Sequence, residues 1–351
     1  MTTRKYTRPL FVGGFQVGGD APVSIQSMLS VKSSAHIAAE RQIQALVAAG
    51  CEIIRFSVMD MDDAQAISYL KRKSSVPLIA DIHFDHKLAI AAIQKGIDGL
   101  RINPGNIGSR SGVESLVAIA RERQVPIRIG VNGGSLPKEL LHKYGHSKEA
   151  MVEAALSHVK ILEDLGYYEI KISVKASDIH LMLASYRELA RRVNYPLHLG
   201  LTESGTLLNG SIKSAMALGI LLEEGIGDTI RVSLSADPLQ EVRVAKEILI
   251  NLGLRKGLKI VSCPTCGRTR INLIELAEKV EKALESFTDR NLTIAVMGCA
   301  VNGPGEAREA DFGVAGGSGE ALLFAKGEIV AKVPEDRLLD ELIKLIEESE
   351  A

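Results

Sequence analysis

Between residues 21 and 250 the chain alternates short apolar runs with longer amphipathic stretches. The runs begin with Pro22-Val23-Ser24-Ile25-Gln26-Ser27, Glu52-Ile53-Ile54-Arg55-Phe56-Ser57 and Pro77-Leu78-Ile79-Ala80-Asp81-Ile82. They continue with Gly99-Leu100-Arg101-Ile102-Asn103, Pro126-Ile127-Arg128-Ile129-Gly130-Val131-Asn132 and Glu169-Ile170-Lys171-Ile172-Ser173-Val174. The last two are Pro196-Leu197-His198-Leu199-Gly200-Leu201 and Thr229-Ile230-Arg231-Val232-Ser233-Leu234. Short runs rich in Val, Ile and Leu mark strands buried on both faces. Helical stretches such as 34–49 and 148–165 lie between them, and Gly50, Gly96, Gly166 and Gly225 close several of these before the next run.

Eight strand-then-helix units in succession predict an α/β architecture, a closed (β/α)8 TIM barrel. A doubly wound open sheet would need a reversal of strand order, and no GxGxxG follows the first strand. The segment Pro9 to Gly19 reads as a hairpin plugging the barrel bottom. The pattern changes near Lys256. A strand over 258–262 leads to a Cys263 turn, a helix over 271–287 follows, and a strand over 292–297 ends at the Cys299 loop. Strands over 321–325 and 328–333 form a hairpin, and a helix from Pro334 closes the chain. The expected division is a barrel over 1–252 with its N-terminal hairpin, then a small α+β domain over 253–351.

Length and composition fit this picture. The 351 residues suit two domains, and 46 % hydrophobic content supports a sizeable core. A formal charge of −1 gives no reason to expect a nucleic-acid partner. No window approaches the ~20 apolar residues of a membrane helix. The basic N-terminus lacks the ~7–15-residue apolar stretch of a signal peptide. A soluble, cytoplasmic protein with no membrane association is expected. Four cysteines, three of them between 263 and 299, make no disulfide framework and point to metal binding or redox work.

Cys263-Pro264-Thr265-Cys266-Gly267 is a CxxC turn at a strand end, and Cys299 ends the next predicted strand. Adjacent strands lie about 4.8 Å apart, so three thiolates can converge there. Such a set suits zinc or an iron–sulfur cluster. Structural zinc would take a fourth Cys or His, yet no further Cys lies in this region and no His follows His198. A cluster with one open or oxygen-ligated iron is therefore favoured, with Glu306, after Gly303-Pro304-Gly305, the nearest carboxylate. Zinc and plain buried cysteines remain the alternatives. Cys51 reads as a small core residue.

Several strands carry a cation among apolar neighbours: Arg55, Arg101, Arg128 and Arg231, with Lys171 and Lys175 on the sixth. By the period-two rule Ser57, Asn103, Gly130 with Asn132 beyond, Ser173 and Ser233 share their faces. Outer barrel faces pack on helices, so these positions should face the interior. Asp81 and Glu203 are the acids available at strand ends, too few to balance the set. A multiply charged small anion is implied, and a diphosphate fits best because guanidinium forks match phosphate oxygens. His83, in His83-Phe84-Asp85-His86, is a substrate-contacting or core residue, with an H-x-x-H metal pair less favoured. Glu203 is either a general acid or a charge partner of the arginines.

Taken together, these residues resemble the 4-hydroxy-3-methylbut-2-enyl diphosphate synthase family of the non-mevalonate isoprenoid pathway, in its short two-domain form. The segments that carry the resemblance are Cys263-Pro264-Thr265-Cys266-Gly267-Arg268-Thr269, Met297-Gly298-Cys299-Ala300-Val301-Asn302-Gly303-Pro304-Gly305-Glu306, Leu100-Arg101-Ile102-Asn103-Pro104-Gly105-Asn106 and Gly200-Leu201-Thr202-Glu203-Ser204-Gly205. The resemblance implies a [4Fe–4S] cluster held by Cys263, Cys266, Cys299 and Glu306. It implies reductive ring opening and dehydration of 2-C-methyl-D-erythritol 2,4-cyclodiphosphate with electrons from ferredoxin or flavodoxin. It also implies a homodimer in which one subunit's cluster domain closes over the other's barrel. Arg55, His83, Arg101, Asn103, Arg128, Asn132, Lys175, Arg231 and Ser233 are then the expected substrate contacts, and Glu203, Asn302 and Glu306 the catalytic candidates. The rivals are a zinc-stabilised barrel transferase for a phosphorylated or pteridine-like substrate, and a non-catalytic iron–sulfur scaffold or sensor.

Overall fold

The computed structural model describes residues 3–103, 105–287, 290–299, 305, 308–317 and 319–349. The chain divides into two compact units, Met1–Leu252 and Gly253–Ala351.

The first unit opens with an antiparallel hairpin, β1 (Leu10–Val12) and β2 (Phe15–Val17). Then come β3 (Ser24–Met28), α1 (His36–Ala48), β4 (Ile53–Ser57), α2 (Met61–Lys73), β5 (Leu78–Asp81) and α3 (His86–Gln94). The alternation continues through β6 (Gly99–Ile102), α4 (Arg110–Glu122) and β7 (Ile127–Asn132). Two helices, α5 (Lys138–Tyr144) and α6 (Lys148–Asp164), precede β8 (Ile170–Lys175), so one connection holds a helix the apolar pattern did not predict. The series ends with α7 (Ile179–Arg192), β9 (His198–Leu199), α8 (Leu207–Glu223), β10 (Thr229–Ile230) and α9 (Pro238–Asn251).

The eight strands pair in parallel in the order β8-β7-β6-β5-β4-β3-β10-β9. A bridge between Ile172 and Leu197 joins the two ends and closes the barrel. The predicted TIM barrel is thus present. β9 and β10 are shorter than their apolar runs, because the ladder stops where the chain reaches the polar mouth. Val12 and Val17 of the hairpin pack with Ile53 and Ile79 under the barrel. The N-terminal segment is also tied to the last strands. Thr7 Oγ1 donates to Asp228 Oδ1 at 2.8 Å, Arg8 N–H to the Asn194 carbonyl at 2.8 Å and Lys5 N–H to the Gly225 carbonyl at 2.9 Å. On the opposite face, helices begin at side-chain caps: Asp60, Asp85, Ser109, Ser147, Asp178 and Asp237 each accept a first-turn N–H. Each cap is worth about 1 kcal/mol and fixes where a mouth loop ends.

The second unit is a five-stranded mixed sheet in the order β11 (Lys259–Ser262), β12 (Thr293–Met297), β13 (Phe312–Ala315), β14 (Glu320–Ala325) and β15 (Glu328–Pro334). The first three are parallel and the last two antiparallel. Helices α10 (Leu273–Ala283) and α11 (Leu338–Glu348) cover one face. Their apolar stripes, Leu273 and Val280 on α10 and Leu338, Leu342 and Ile346 on α11, meet Ile294, Val296 and Val314 of the sheet. β13 was not foreseen: its four residues include Gly313, where a Cβ would lie 2.4 Å from the Phe324 ring. The glycine that hides the strand in the sequence is required by the packing. No helix among the described residues is long and apolar enough to cross a membrane.

Candidate functional site

The barrel interior is where the sequence places its cations, and the strand registers bring them together. Arg101 pairs in register with Asp81 and Arg128, and Arg128 with Lys171. Arg55, Arg101, Arg128 and Lys175 are all buried, and Arg231 nearly so, at 15 % side-chain exposure. Asp81 binds two of them, Arg55 Nε at 3.4 Å and Arg101 Nη1 at 3.2 Å. Met28 contributes a thioether acceptor, with Sδ 2.9 Å from Arg55 Nη2 and 3.5 Å from Arg231 Nη1.

The second acid is Glu241 on α9. It meets Arg231 Nε at 3.3 Å and accepts from Ser27 Oγ at 3.1 Å and from the Leu234 N–H at 3.1 Å. This corrects the expected acid pair of Asp81 and Glu203. Glu203 is exposed, sits at a positive φ of 54° in the loop after β9, and makes no ion pair among the described residues. Glu241 was missed because it reads as an ordinary polar position in a helix. The signal was the Asp237-Pro238 start, which sets α9 directly after the β10 loop and turns its first residues toward the barrel.

Two glycines make room for this packing. A Cβ on Gly130 would stand 2.6 Å from Arg101 Nε, and one on Gly200 would stand 2.7 Å from Lys175 Nζ. Arg101 Nη2 donates to the Gly130 carbonyl at 3.1 Å, and Asn103 Oδ1 accepts from the Gly130 N–H at 3.1 Å. His83 is half-exposed beside Arg101, with Nδ1 2.9 Å from Nη1. Asn132 ends β7 in register with Lys175, and Ser233 lies two residues beyond Arg231, both partly exposed.

The electrostatics follow from burial and crowding. Desolvation, then Arg55 and Arg101, pushes Arg128 well below the usual guanidinium range. Desolvation, then Arg231 and Arg55, lowers Lys175 in the same way. Desolvation lowers Arg55 to about 10 despite Asp81. Burial alone would raise Asp81, but Arg55, Arg101 and Arg128 together hold it below the usual carboxylate value. His83 is lowered by desolvation and by the neighbouring arginines. Five mouth cations face two paired acids, and Arg128 Nε and Nη2 have no hydrogen-bond partner. Such a surplus of desolvated positive charge is costly without an anion.

In the second unit β11 and β12 are parallel neighbours, with Ser262 in register with Val296. Cys263 and Cys299 therefore follow the same ends of adjacent strands. The Gly298 N–H donates to Cys263 Sγ at 3.2 Å, and the Cys266 N–H to Thr269 Oγ1 at 3.1 Å. Hydrogen bonding by the Arg268 backbone draws the exposed Cys266 thiol below its ordinary value. Cys299 is buried. The three thiols are not gathered into one metal-binding group among the described residues. As a donor set they nonetheless fit an iron–sulfur cluster: soft sulfur at adjacent strand ends, a backbone N–H on sulfur, and no histidine in the unit. Asn302 and Glu306 lie outside the described residues. Cys51, by contrast, is buried in the barrel wall with its thiol pushed up to about 12 by burial, as an inert core residue should be.

Fold and site define a two-domain barrel protein, one unit with a cluster of buried cations in its barrel and the other carrying a thiol site at parallel strand ends. Residues 7–246 match the GcpE TIM-barrel domain, and residues 259–348 match the GcpE protein C-terminal domain. The chain belongs to the GcpE family. It is 62 % identical over 343 residues to a Geobacter sulfurreducens protein named 4-hydroxy-3-methylbut-2-en-1-yl diphosphate synthase (flavodoxin), covering 97 % of each chain. It is 56 % identical to a Clostridium perfringens protein of the same name, covering 98 % of this chain and 99 % of that one. Among solved structures, the Vibrio fischeri 7,8-dihydropteroate synthase aligns with a TM-score of 0.51 at 15 % identity, covering 70 % of this chain and 98 % of that one. That likeness shows the barrel fold alone and does not favour the rival transferase.

Proposed function

We propose that the chain is a 4-hydroxy-3-methylbut-2-en-1-yl diphosphate synthase. It opens the ring of 2-C-methyl-D-erythritol 2,4-cyclodiphosphate and removes one oxygen as water, taking up two electrons and two protons to give 4-hydroxy-3-methylbut-2-enyl diphosphate. The observation that carries this reading is the surplus of buried cations at the barrel mouth, with Arg128 Nε and Nη2 unpartnered. The near-full-length relatives of that name support it. The [4Fe–4S] cluster would be held by Cys263, Cys266, Cys299 and Glu306, and it supplies the electrons delivered by flavodoxin or ferredoxin.

The chain's own groups do the rest. Arg55, Arg101, Arg128, Lys175 and Arg231 bind the diphosphate, where desolvation strengthens each charge-assisted bond. Asp81 and Glu241 hold three of these arginines in place before substrate arrives, which lowers the ordering cost of binding. His83, Asn103, Asn132 and Ser233 orient the remaining oxygens, and Asn302 a substrate hydroxyl. The departing oxygen needs a proton. Asp81 and Glu241 are committed to arginines, which leaves Glu203 to carry it. A homodimer is part of this reading. Its support in the barrel unit is an exposed apolar stripe on α8, Leu208, Ile212, Met216 and Ile220, spaced four residues apart.

The test is anaerobic turnover of the cyclodiphosphate by the iron-loaded protein with an artificial one-electron donor. Phosphorus resonance should show the cyclic diphosphate converted to the linear one. An iron-loaded protein that leaves the substrate unchanged would overturn the proposal. A visible absorption band in the anaerobically purified protein separates the cluster from zinc, which has none.

A further inference from the structure

His158 is a buried histidine outside the site described so far. α6 turns an apolar face to β7 and β8, with Met151, Ala154, Ala155, Val159 and Leu162, and His158 interrupts it at 7 % exposure. Its Nδ1 accepts the Gly105 N–H at 3.0 Å. The approach is close: a Cβ on Gly105 would lie 2.6 Å from His158 Cε1, so only glycine lets the backbone rest on the ring. Farther along the same connection between β6 and α4, His86 packs in a similar way. A Cβ on Gly108 would stand 2.9 Å from His86 Nδ1, and one on Gly112 would stand 2.8 Å from His86 Cγ. Two imidazoles, from α3 and α6, thus press on one mouth loop and the helix start that follows it.

The loop matters for the residue it starts from. The Asn106 N–H closes a turn on the Asn103 carbonyl at 2.8 Å, and Gly105 lies inside that turn. Asn103 Oδ1 accepts the Gly130 N–H at 3.1 Å, and the Gly130 carbonyl accepts from Arg101 Nη2 at 3.1 Å. A shift at Gly105 therefore reaches Asn103 directly and Arg101 through Gly130. A backbone N–H donor needs a lone pair on Nδ1, so the His158 ring is neutral with its proton on Nε2. Burial, which lowers its pKa, favours that form. A loop free to move here would have to be ordered each time substrate bound; a buried acceptor orders it beforehand.

We propose that His158 is a positioning residue for the barrel mouth: by accepting the Gly105 N–H it fixes the turn that aims Asn103, and through Gly130 the Arg101 guanidinium, at the substrate. It acts through the loop and makes no substrate contact of its own. The inference rests on the proposed function for the identity of that substrate, whereas the bond to Gly105 is open to test without it.

Two variants of the full, iron-loaded chain test it. His158→Phe keeps a ring and removes the acceptor, and His158→Asn puts Oδ1 in the place of Nδ1. His158→Phe should raise KM for the cyclodiphosphate about fivefold, the scale of one lost hydrogen bond, with kcat nearly unchanged. His158→Asn should restore most of the parental KM, and bound iron should be the same in all three proteins. Hydrogen exchange supplies the arm that needs no substrate. In the unaltered protein the Gly105 amide should exchange at least about tenfold more slowly than an open-chain amide, and His158→Phe should remove that protection. The proposal fails if Gly105 is unprotected in the unaltered protein, if His158→Phe leaves KM unchanged, or if His158→Asn is no better than His158→Phe. An unaltered protein that protects Gly105 yet leaves the cyclodiphosphate untouched would support the bond and overturn the proposed function instead.

Discussion

Inside the barrel, positions that most proteins fill with leucine hold Arg55, Arg101, Arg128, Lys171 and Lys175, all buried. Inside the second unit the core around Val280, Leu284, Ile294, Val296, Leu342 and Ile346 is wholly apolar, and the thiols stand at strand ends. A core of charges is stable only through its pairings, because each ion left alone keeps its full desolvation cost. An apolar core is indifferent to what its loops bind. Removing a ligand group should therefore empty the second unit's site without unfolding it, whereas removing one acid should destabilise the barrel itself.

The largest effect is expected at the thiols. Replacing Cys263, Cys266 or Cys299 with Ser puts a hard donor where iron needs a soft one, and should reduce bound iron and the visible band to under about a tenth. Far-UV circular dichroism should be unchanged; a variant that lost helix content along with its iron would break the contrast drawn here. Next is Asp81→Asn, which leaves Arg55 and Arg101 unpaired and should cost about 3–5 kcal/mol in urea unfolding. The same carboxylate sets a pH dependence. Its folded pKa lies below the unfolded value of about 3.9, so its contribution is present above that pH and is lost as pH falls through the folded value. Asp81→Asn should flatten that part of the acid limb, and an unaltered limb would remove Asp81 as its cause.

Glu306→Cys sharpens the contrast from the other side. A fourth thiolate should hold iron at least as firmly as the parent, yet slow turnover roughly 100-fold, about 2.7 kcal/mol, because a carboxylate yields its place more readily. Iron retained with parental turnover would show that the ligand at this position does not matter. The smallest effects belong to single mouth cations. Arg128→Met and Arg231→Met should each weaken diphosphate affinity by about 1.5–3 kcal/mol by calorimetry and leave the visible spectrum intact. Unchanged affinities would take these residues out of the anion site.

What the sequence revealed follows the same division. A strand buried on both faces has no reason to carry arginine, so Arg55, Arg101, Arg128 and Arg231 stood out and proved to be close neighbours. The hairpin plug was legible from its own alternation. Glu241 was not, because its role comes from where α9 begins relative to the barrel, which periodicity does not encode. β13 was hidden by Gly313, whose value lies in the ring packed against it. At the thiol site the pairing of β11 with β12 was foreseeable from two apolar runs. The proposed fourth ligand, Glu306, was legible only through the family resemblance, and it lies outside the described residues.

The bond from Thr7 to Asp228 spans 221 positions of chain. A ribosome adding about 5–20 residues per second needs roughly 10–50 s between making one partner and the other. During that interval β4, β6 and β7 emerge with Arg55, Arg101 and Arg128, but the barrel that buries them cannot yet close. Their charge then works in the chain's favour, keeping half-made sheets apart and hydrated until the last strand arrives. The residues that make the finished interior costly are, on an open strand, the kind of charge that disfavours edge-to-edge aggregation.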